Sequence, residues 1–187
     1  MAVKTEDELA IERTLQGDKE AFLDLVRRHR IAVMRLCHFT CGDYDTAAVL
    51  VKRAFLSFAN SMADYRNKGD MHDLLIDHAA KELKAWIKRG AQLASQGGGY
   101  EEKLKEAFFF PAEEMARLGK RSVDEVVNYT VKVARMMRRV PPDVKLTAGL
   151  KIFEKRSYIN IAAVLGIEKR EVEAAMEKFR KAVLGSG

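Results

Sequence analysis

The sequence predicts an all-α protein built from two small helical domains joined by a linker. Apolar residues recur at helical spacing along most of the 187 residues, and no segment alternates in the manner of a β-strand. Proline occurs only 3 times, while helix-forming residues are abundant. Because 48% of the residues are hydrophobic, each domain can bury a core of its own. A single continuous core would contradict this division into two domains.

The first predicted domain covers residues 1–90 and contains four amphipathic helices, at 5–15, 18–40, 44–63 and 71–88. The first helix ends at Gln16-Gly17, and Asp18 has the residue type expected of an N-cap for the second. Cys41-Gly42 ends the second helix. Four helices of this length make a bundle of about the minimum size for an independent core.

The predicted linker covers residues 91–121. Its run Gly97-Gly98-Gly99 makes a helix costly by about 1 kcal/mol per residue. Two short helices are expected after it, at 101–110 and 112–118. The first contains Phe108-Phe109-Phe110, which we expect to pack against one of the two domains, because three adjacent phenyl rings need burial.

The second predicted domain covers residues 122–187 and ends in a helix-turn-helix. Ser122 caps a helix that stops at Pro141-Pro142, and Asp143 is predicted to cap the next. Two apolar sets at helical spacing then flank Gly166, which can adopt the left-handed conformation that a sharp turn requires. The two sets are Ile159, Ile161, Ala162, Val164 and Leu165, followed by Val172, Met176, Phe179 and Val183.

Charge, apolar runs and cysteine content narrow the function classes. Residues 122–187 hold 13 basic and 8 acidic side chains, so nearly all of the net charge of +6 lies beside the helix-turn-helix and favours a polyanionic partner. No apolar run reaches the roughly 20 residues of a membrane span, and the acidic start does not resemble a signal peptide, which predicts a cytoplasmic protein. Cys37, His38 and Cys41 lack a fourth metal ligand nearby, so neither a metal nor another cofactor is expected.

Several motifs, in order, resemble extracytoplasmic-function (ECF) sigma factors of the sigma-70 family. The stretch QGDKEAFLDLVRRHR at 16–30 resembles the opening of their σ2 domain, and Gly42-Asp43 and Gly69-Asp70 fall in matching positions. In the second half, RVPP at 139–142 stands where their σ4 domain has a Leu-Pro pair. SYINIAAVLGI at 157–167 is similar to their Ser-Tyr-x-x-Ile-Ala-x-x-Leu-Gly-Ile signature.

The resemblance implies a subunit of the transcription machinery. In the family, σ2 docks on core RNA polymerase and separates the −10 element, while σ4 reads the −35 element, and an anti-sigma factor often regulates both. Docking uses acidic side chains of the second conserved helix, but Lys52-Arg53 reverses that charge here, leaving Asp43 and Asp45 as substitutes. The implied polymerase-binding residues are Asp43, Asp45, Val49, Lys52 and Arg53.

The same resemblance implies two DNA-binding groups. The fourth helix lacks the strand-separating side chains of the family but keeps a basic flank that can neutralise phosphates; its Trp86 is predicted to be a core residue. The last helix presents Glu171 and Glu173 where the family has Thr and Lys, although its second half stays basic. The implied DNA-binding residues are Lys81, Lys84, Lys88 and Arg89 in the flank, and Arg170, Glu173, Ala174, Lys178, Arg180 and Lys181 in the last helix.

Three functions remain open from the sequence. The first is an ECF sigma factor with core RNA polymerase and promoter DNA as partners. The second is a sigma-like adaptor or decoy that binds an anti-sigma factor or another DNA-targeting protein and reads little promoter sequence itself. The third is an unrelated helix-turn-helix regulator. An enzyme is disfavoured, because the sequence shows no nucleophile–base pair, glycine-rich phosphate loop or paired carboxylates.

Overall fold

The computed structural model describes residues 4–64, 70–89, 137 and 140–184. All regular structure within these ranges is helical, which confirms the all-α prediction. A short 3-10 turn, Met62–Asp64, follows the third helix, which ends slightly earlier than predicted. The helices are α1 (Glu6–Leu15), α2 (Lys19–Cys41), α3 (Tyr44–Ser61), α4 (Met71–Lys88), α5 (Pro142–Ile152), α6 (Tyr158–Leu165) and α7 (Lys169–Leu184).

Polar side chains satisfy the free backbone N–H groups at most of the helix starts. The predicted cap at Asp18 is confirmed, since its carboxylate accepts hydrogen bonds from the backbone N–H groups of Glu20 and Ala21. Thr5 and Glu8 form a reciprocal capping box on α1. The side chains that cap the other helix starts in this way are Asp43 for α3, Asp70 for α4 and Ser157 for α6.

The predicted cap of α5 is wrong. Asp143 lies inside the first turn of that helix, whose N-cap residue is Pro141 and whose first residue is Pro142. No side chain caps this end by a hydrogen bond. Proline at the first helical position needs no such partner, because it has no N–H group and its φ angle is already helical.

One hydrophobic core joins the described helices, so the prediction of two separately packed domains is not confirmed. The long helix α2 contacts α1, α3, α4 and α5, and α4 also contacts α6. Buried side chains from both halves belong to the same cluster. They include Leu25, Leu36, Leu50, Phe58, Leu75 and Leu83 from α2–α4, and Leu146, Leu150, Ile161, Leu165 and Val172 from α5–α7.

Helices α2 and α5 approach each other closely at Gly149. A Cβ atom at that position would lie 2.8 Å from Cδ1 of Leu36 and 3.3 Å from Cδ1 of Phe39. One turn further along, the rings of Phe39 and Phe153 meet edge to face with centroids 4.9 Å apart. Residues predicted to belong to different domains are therefore in direct contact.

The predicted linker, its short helices, Phe108–Phe110 and the helix after Ser122 lie outside the described residues, apart from Met137 and Val140. The predicted boundaries at 90 and 121 stay predictions for the same reason. Within the described ranges, no helix combines the length and the apolar character needed to cross a membrane.

Candidate nucleic-acid interface

Helices α6 and α7 form the predicted helix-turn-helix. Gly166 ends α6 in the left-handed conformation, with φ 56° and ψ 49°. The backbone N–H of Ile167 donates to the carbonyl oxygen of Ala162 over 3.0 Å, which closes the turn, and the Ile167 side chain packs against the core. The local geometry therefore agrees with the position assigned to Gly166 from the sequence.

Helix α7 has one edge packed on the protein and one face open to solvent. Val172 is fully buried, while Met176 and Phe179 are half-buried along the same edge. The opposite face is exposed at every position that the sequence assigned to it. Those residues are Arg170, Glu171, Glu173, Ala174, Glu177, Lys178, Arg180 and Lys181.

Ion pairs balance much of the charge in the first half of α7. Lys169 contacts Glu173 at 3.2 Å, and Arg170 contacts Glu168 at 2.7 Å. The carboxylate of Glu171, in the first turn of α7, accepts a hydrogen bond of 2.8 Å from the backbone N–H of Glu168, the residue before the helix. This half presents little net charge, and Glu171 has a structural use that its sequence position alone did not reveal.

The second half of α7 is basic. Glu177 pairs with Arg180 at 3.0 Å and lies 3.8 Å from Lys181, so one carboxylate faces two cations. Lys178 is exposed and has no ion-pair partner in the described part of the chain. A row of cations on an exposed helix can contact successive phosphates of a nucleic acid without reading its bases.

The predicted basic flank of α4 lies against the turn of the helix-turn-helix. Lys81, Lys88 and Arg89 are exposed, but Lys84 is half-buried and its amine donates to the carbonyl oxygen of Leu165, the last residue of α6. An open groove of about 320 Å³ separates the two elements. It is lined by Lys81, Lys84, Ala85 and Lys88 on one side and by residues 163–166 on the other.

The predicted polymerase-binding residues share α3 but differ in availability. Asp43 caps the helix, and the hydrogen bonds from Thr46 hold the pKa of its carboxyl below the ordinary value. Asp45 is exposed, whereas Val49, Lys52 and Arg53 are half-buried. Val49 follows Asp45 by four residues, and Lys52 and Arg53 follow Val49 by three and four. These four residues therefore lie on one stripe of the helix.

The loop between α5 and α6, residues 153–157, contacts the bundle through charges that the sequence reasoning missed. Glu154 pairs with Arg35 of α2 at 2.9 Å and with His72 of α4 at 2.7 Å, and its side chain is only 3% exposed. The next residue, Lys155, has a φ of 52°, which is unusual for a residue other than glycine. We call residues 153–157 the docking loop.

Arg156 supplies the second anchor of the docking loop. Its guanidinium donates to the backbone carbonyl of Asp73 over 2.9 Å and to the carboxylate of Asp77 over 3.0 Å. Burial raises the pKa of the Asp77 carboxyl, while Arg156 acts in the opposite direction. No periodicity in the sequence distinguishes these charged residues from ordinary surface side chains.

Cys37 and Cys41 in α2 and His78 in α4 carry potentially reactive side chains within the bundle. Burial raises the pKa of the Cys41 thiol to about 12 and that of Cys37 well above its ordinary value, so neither is a ready thiolate ligand. The described residues hold no group of three or more side chains suited to a metal ion. His78 contacts Ser57 at 2.9 Å and Ser61 at 3.3 Å between α3 and α4, a pairing that the sequence did not indicate.

No protein-family model matches the chain, and no curated protein matches it at a significant level.

Proposed function

We propose that the protein is a non-catalytic sigma factor of the ECF type, which acts in the cytoplasm and directs core RNA polymerase to promoter DNA. One observation carries the proposal. Helix α7 follows a tight turn at Gly166, buries Val172 and leaves its whole opposite face exposed, as a helix must in order to enter a DNA groove. The sequence motifs of both halves support the same class.

In this function the exposed residues of α7 have two roles, contact with phosphates and contact with bases. Lys178, Arg180 and Lys181 hold phosphates, while Arg170 and Glu173, in the first half, lie where base edges would be reached and Ala174 allows close approach. The α4 lysines add phosphate contacts. The stripe of Asp45, Val49, Lys52 and Arg53 on α3 supplies the surface for the polymerase.

The second candidate is a sigma-like adaptor or decoy that binds a regulatory protein such as an anti-sigma factor. Two observations favour it. Lys52 and Arg53 make the α3 stripe basic, whereas a surface that binds the basic polymerase helix of the family is expected to be acidic. The shared core also keeps α4 and α7 in one body, whereas contact with two separate promoter elements requires them to move apart.

Reconstitution with core RNA polymerase separates the two candidates. A sigma factor is expected to co-purify with core polymerase and to start transcripts at defined positions on promoter DNA. An adaptor is expected to bind a protein partner tightly and to leave core polymerase unbound. Failure of the full-length protein to bind core polymerase therefore overturns the first proposal.

A second measurement tests the DNA contacts. The Lys178→Ala variant is expected to weaken binding to duplexes of all sequences alike and to reduce the slope of log affinity against log salt by about 0.9, the value for one phosphate contact. Lys19→Ala, at an exposed position in the first turn of α2, is the matched control and is expected to change neither quantity. Duplex binding that does not depend on salt would remove DNA from the proposal.

A further inference from the structure

The groove between α4 and the turn of the helix-turn-helix has a cationic wall and an apolar wall. Its volume of about 320 Å³ lies at the lower end of the range for small-ligand sites. The cationic wall carries Lys81, Lys84 and Lys88, and residues 163–166 form the apolar wall. None of the described residues that line the groove is acidic. A ligand that fits both walls therefore has negative charge at one end and an apolar ring at the other.

The three lysines form a row on α4. Lys84 follows Lys81 by three residues and precedes Lys88 by four, so their side chains share one face of the helix and follow each other by about one turn, or about 5 Å. Like charges at this spacing destabilise a helix. In the part of the chain that the structure describes, none of the three amines forms an ion pair with a carboxylate. An anion bound in the groove would supply the missing compensation.

Lys84 is the most constrained of the three lysines. Its side chain is half-buried, and its amine donates to the carbonyl oxygen of Leu165. Because an ammonium group has three donor hydrogens, two remain for a ligand. The neighbouring Gly166 leaves this amine uncovered, since a Cβ atom there would touch Nζ of Lys84 at 3.5 Å. A cation that is already held in place loses less conformational freedom when a ligand binds.

We propose that this groove binds a nucleoside polyphosphate, with its phosphates on the amines of Lys81, Lys84 and Lys88 and its base against Val164. The inference goes beyond the proposed function and does not depend on it. No helix has to move, because α4 and α6 already pack in the same core. Duplex DNA offers the same phosphate chemistry, but its bases are paired and stacked, so only a free nucleotide can place a base against the apolar wall.

Isothermal titration calorimetry of the full-length protein tests the site. The ligands are ATP and inorganic tripolyphosphate, at about 0.15 M salt, where a Debye length of about 8 Å screens diffuse attraction. ATP is expected to bind about tenfold more tightly than tripolyphosphate, because its base buries apolar surface. Absence of ATP binding at about 1 mM ligand, or equal affinities for the two ligands, would overturn the proposal.

Removal of single charges tests the cationic wall. Lys84→Met keeps the length of the side chain and is expected to weaken ATP binding about tenfold, since it removes a charged hydrogen-bond donor that is half-buried. Lys88→Met is expected to cost only about threefold, because Lys88 is exposed. The matched control is Lys19→Met, at an exposed position of α2, which is expected to leave the affinity unchanged. Equal losses for Lys84→Met and Lys19→Met would show diffuse attraction and contradict the site.

A variant that fills the groove tests the apolar wall without a change of charge. Ala163 is exposed on α6 and lines the groove, so Ala163→Leu is expected to remove the tenfold advantage of ATP over tripolyphosphate. Ala182→Leu, at an exposed position in the last turn of α7, is the matched control and is expected to keep that advantage. Helix content and the fluorescence of Trp86 show that each variant is folded. Unchanged ATP affinity in folded Ala163→Leu protein would overturn the assignment of the base to this wall.

Discussion

Lys145 places an amine in the packed region where α5 meets the end of α2. The residue is only 6% exposed, and its Nζ atom would lie 3.7 Å from a Cβ atom on Gly42. Burial lowers the pKa of Lys145, and the neighbouring Cys41 acts in the opposite direction. Because the folded-state pKa lies below the unfolded value of 10.5, the charged amine reduces stability at neutral pH, and this cost disappears as the pH rises toward 10.5.

We expect Lys145→Met to increase the free energy of unfolding by about 1 kcal/mol at neutral pH, since it keeps the stem and removes the buried charge. The difference between variant and wild type should shrink as the pH approaches 10.5. This difference, and not the stability of either protein alone, is informative, because the raised pKa of the Cys41 thiol lowers the stability of both proteins above pH 9. Urea unfolding at several pH values measures the free energy of unfolding of each protein, with the exposed Lys19→Met as control. A Lys145→Met protein less stable than wild type would contradict the prediction.

At the scale of the elements, the contact between α2 and α5 depends on the absence of a side chain. Glycine inside a helix normally costs about 1 kcal/mol relative to alanine. At Gly149 this loss is offset by the close approach of Leu36 and Phe39, whose side chains occupy the space that a Cβ would need. Glycine at position 149 therefore favours the packing of α5 against α2 at the expense of the intrinsic stability of α5.

Gly149→Ala tests that contact. Helix propensity alone would make the variant more stable, but the Cβ would lie 2.8 Å from Cδ1 of Leu36, so we expect a net loss of about 1–2 kcal/mol in the free energy of unfolding. Adding Leu36→Val to Gly149→Ala should cost less than the two separate losses together, because the smaller side chain makes room. A more stable Gly149→Ala protein, in urea unfolding, would show that the helices do not approach this closely.

At the scale of the whole molecule, one core should make the two halves unfold together. Trp86 is the single tryptophan of the chain and is 5% exposed in α4, so its fluorescence reports on the bundle. Far-UV circular dichroism reports on all helices. We expect the two signals of the wild-type protein to change at the same urea concentration, as a single cooperative unit requires. Loss of helix content while Trp86 remains buried would show that α5–α7 unfold as a separate domain.

Within the described residues, local signals in the sequence predicted the helices and most of their ends, with the cap of α5 as an exception. Asp18 and Gly166 are in the roles expected of them, and Trp86 lies in the core, because caps, turns and helical spacing depend on neighbouring residues. The docking of the two halves could not be predicted in the same way. Apolar spacing shows that Leu146 and Leu150 need burial but does not show which helix covers them.

The charged residues were the hardest to interpret from the sequence. Lys84 was predicted to contact DNA, and its amine donates to the carbonyl oxygen of Leu165; Asp43 was predicted to contact polymerase, and its carboxylate caps α3. Glu154 and Arg156 gave no signal, since a charged residue in a short loop is ordinarily on the surface. Only the three-dimensional arrangement separates a charge that anchors the fold from one that is available to a partner.

The bond from Lys84 to the carbonyl oxygen of Leu165 means that the turn of the helix-turn-helix is completed by a donor more than 80 residues earlier in the chain. A chimera that carries α6 and α7 alone into another scaffold would leave this oxygen to water. Such a transplant would not be equivalent to the native motif, and its behaviour would describe an incomplete turn.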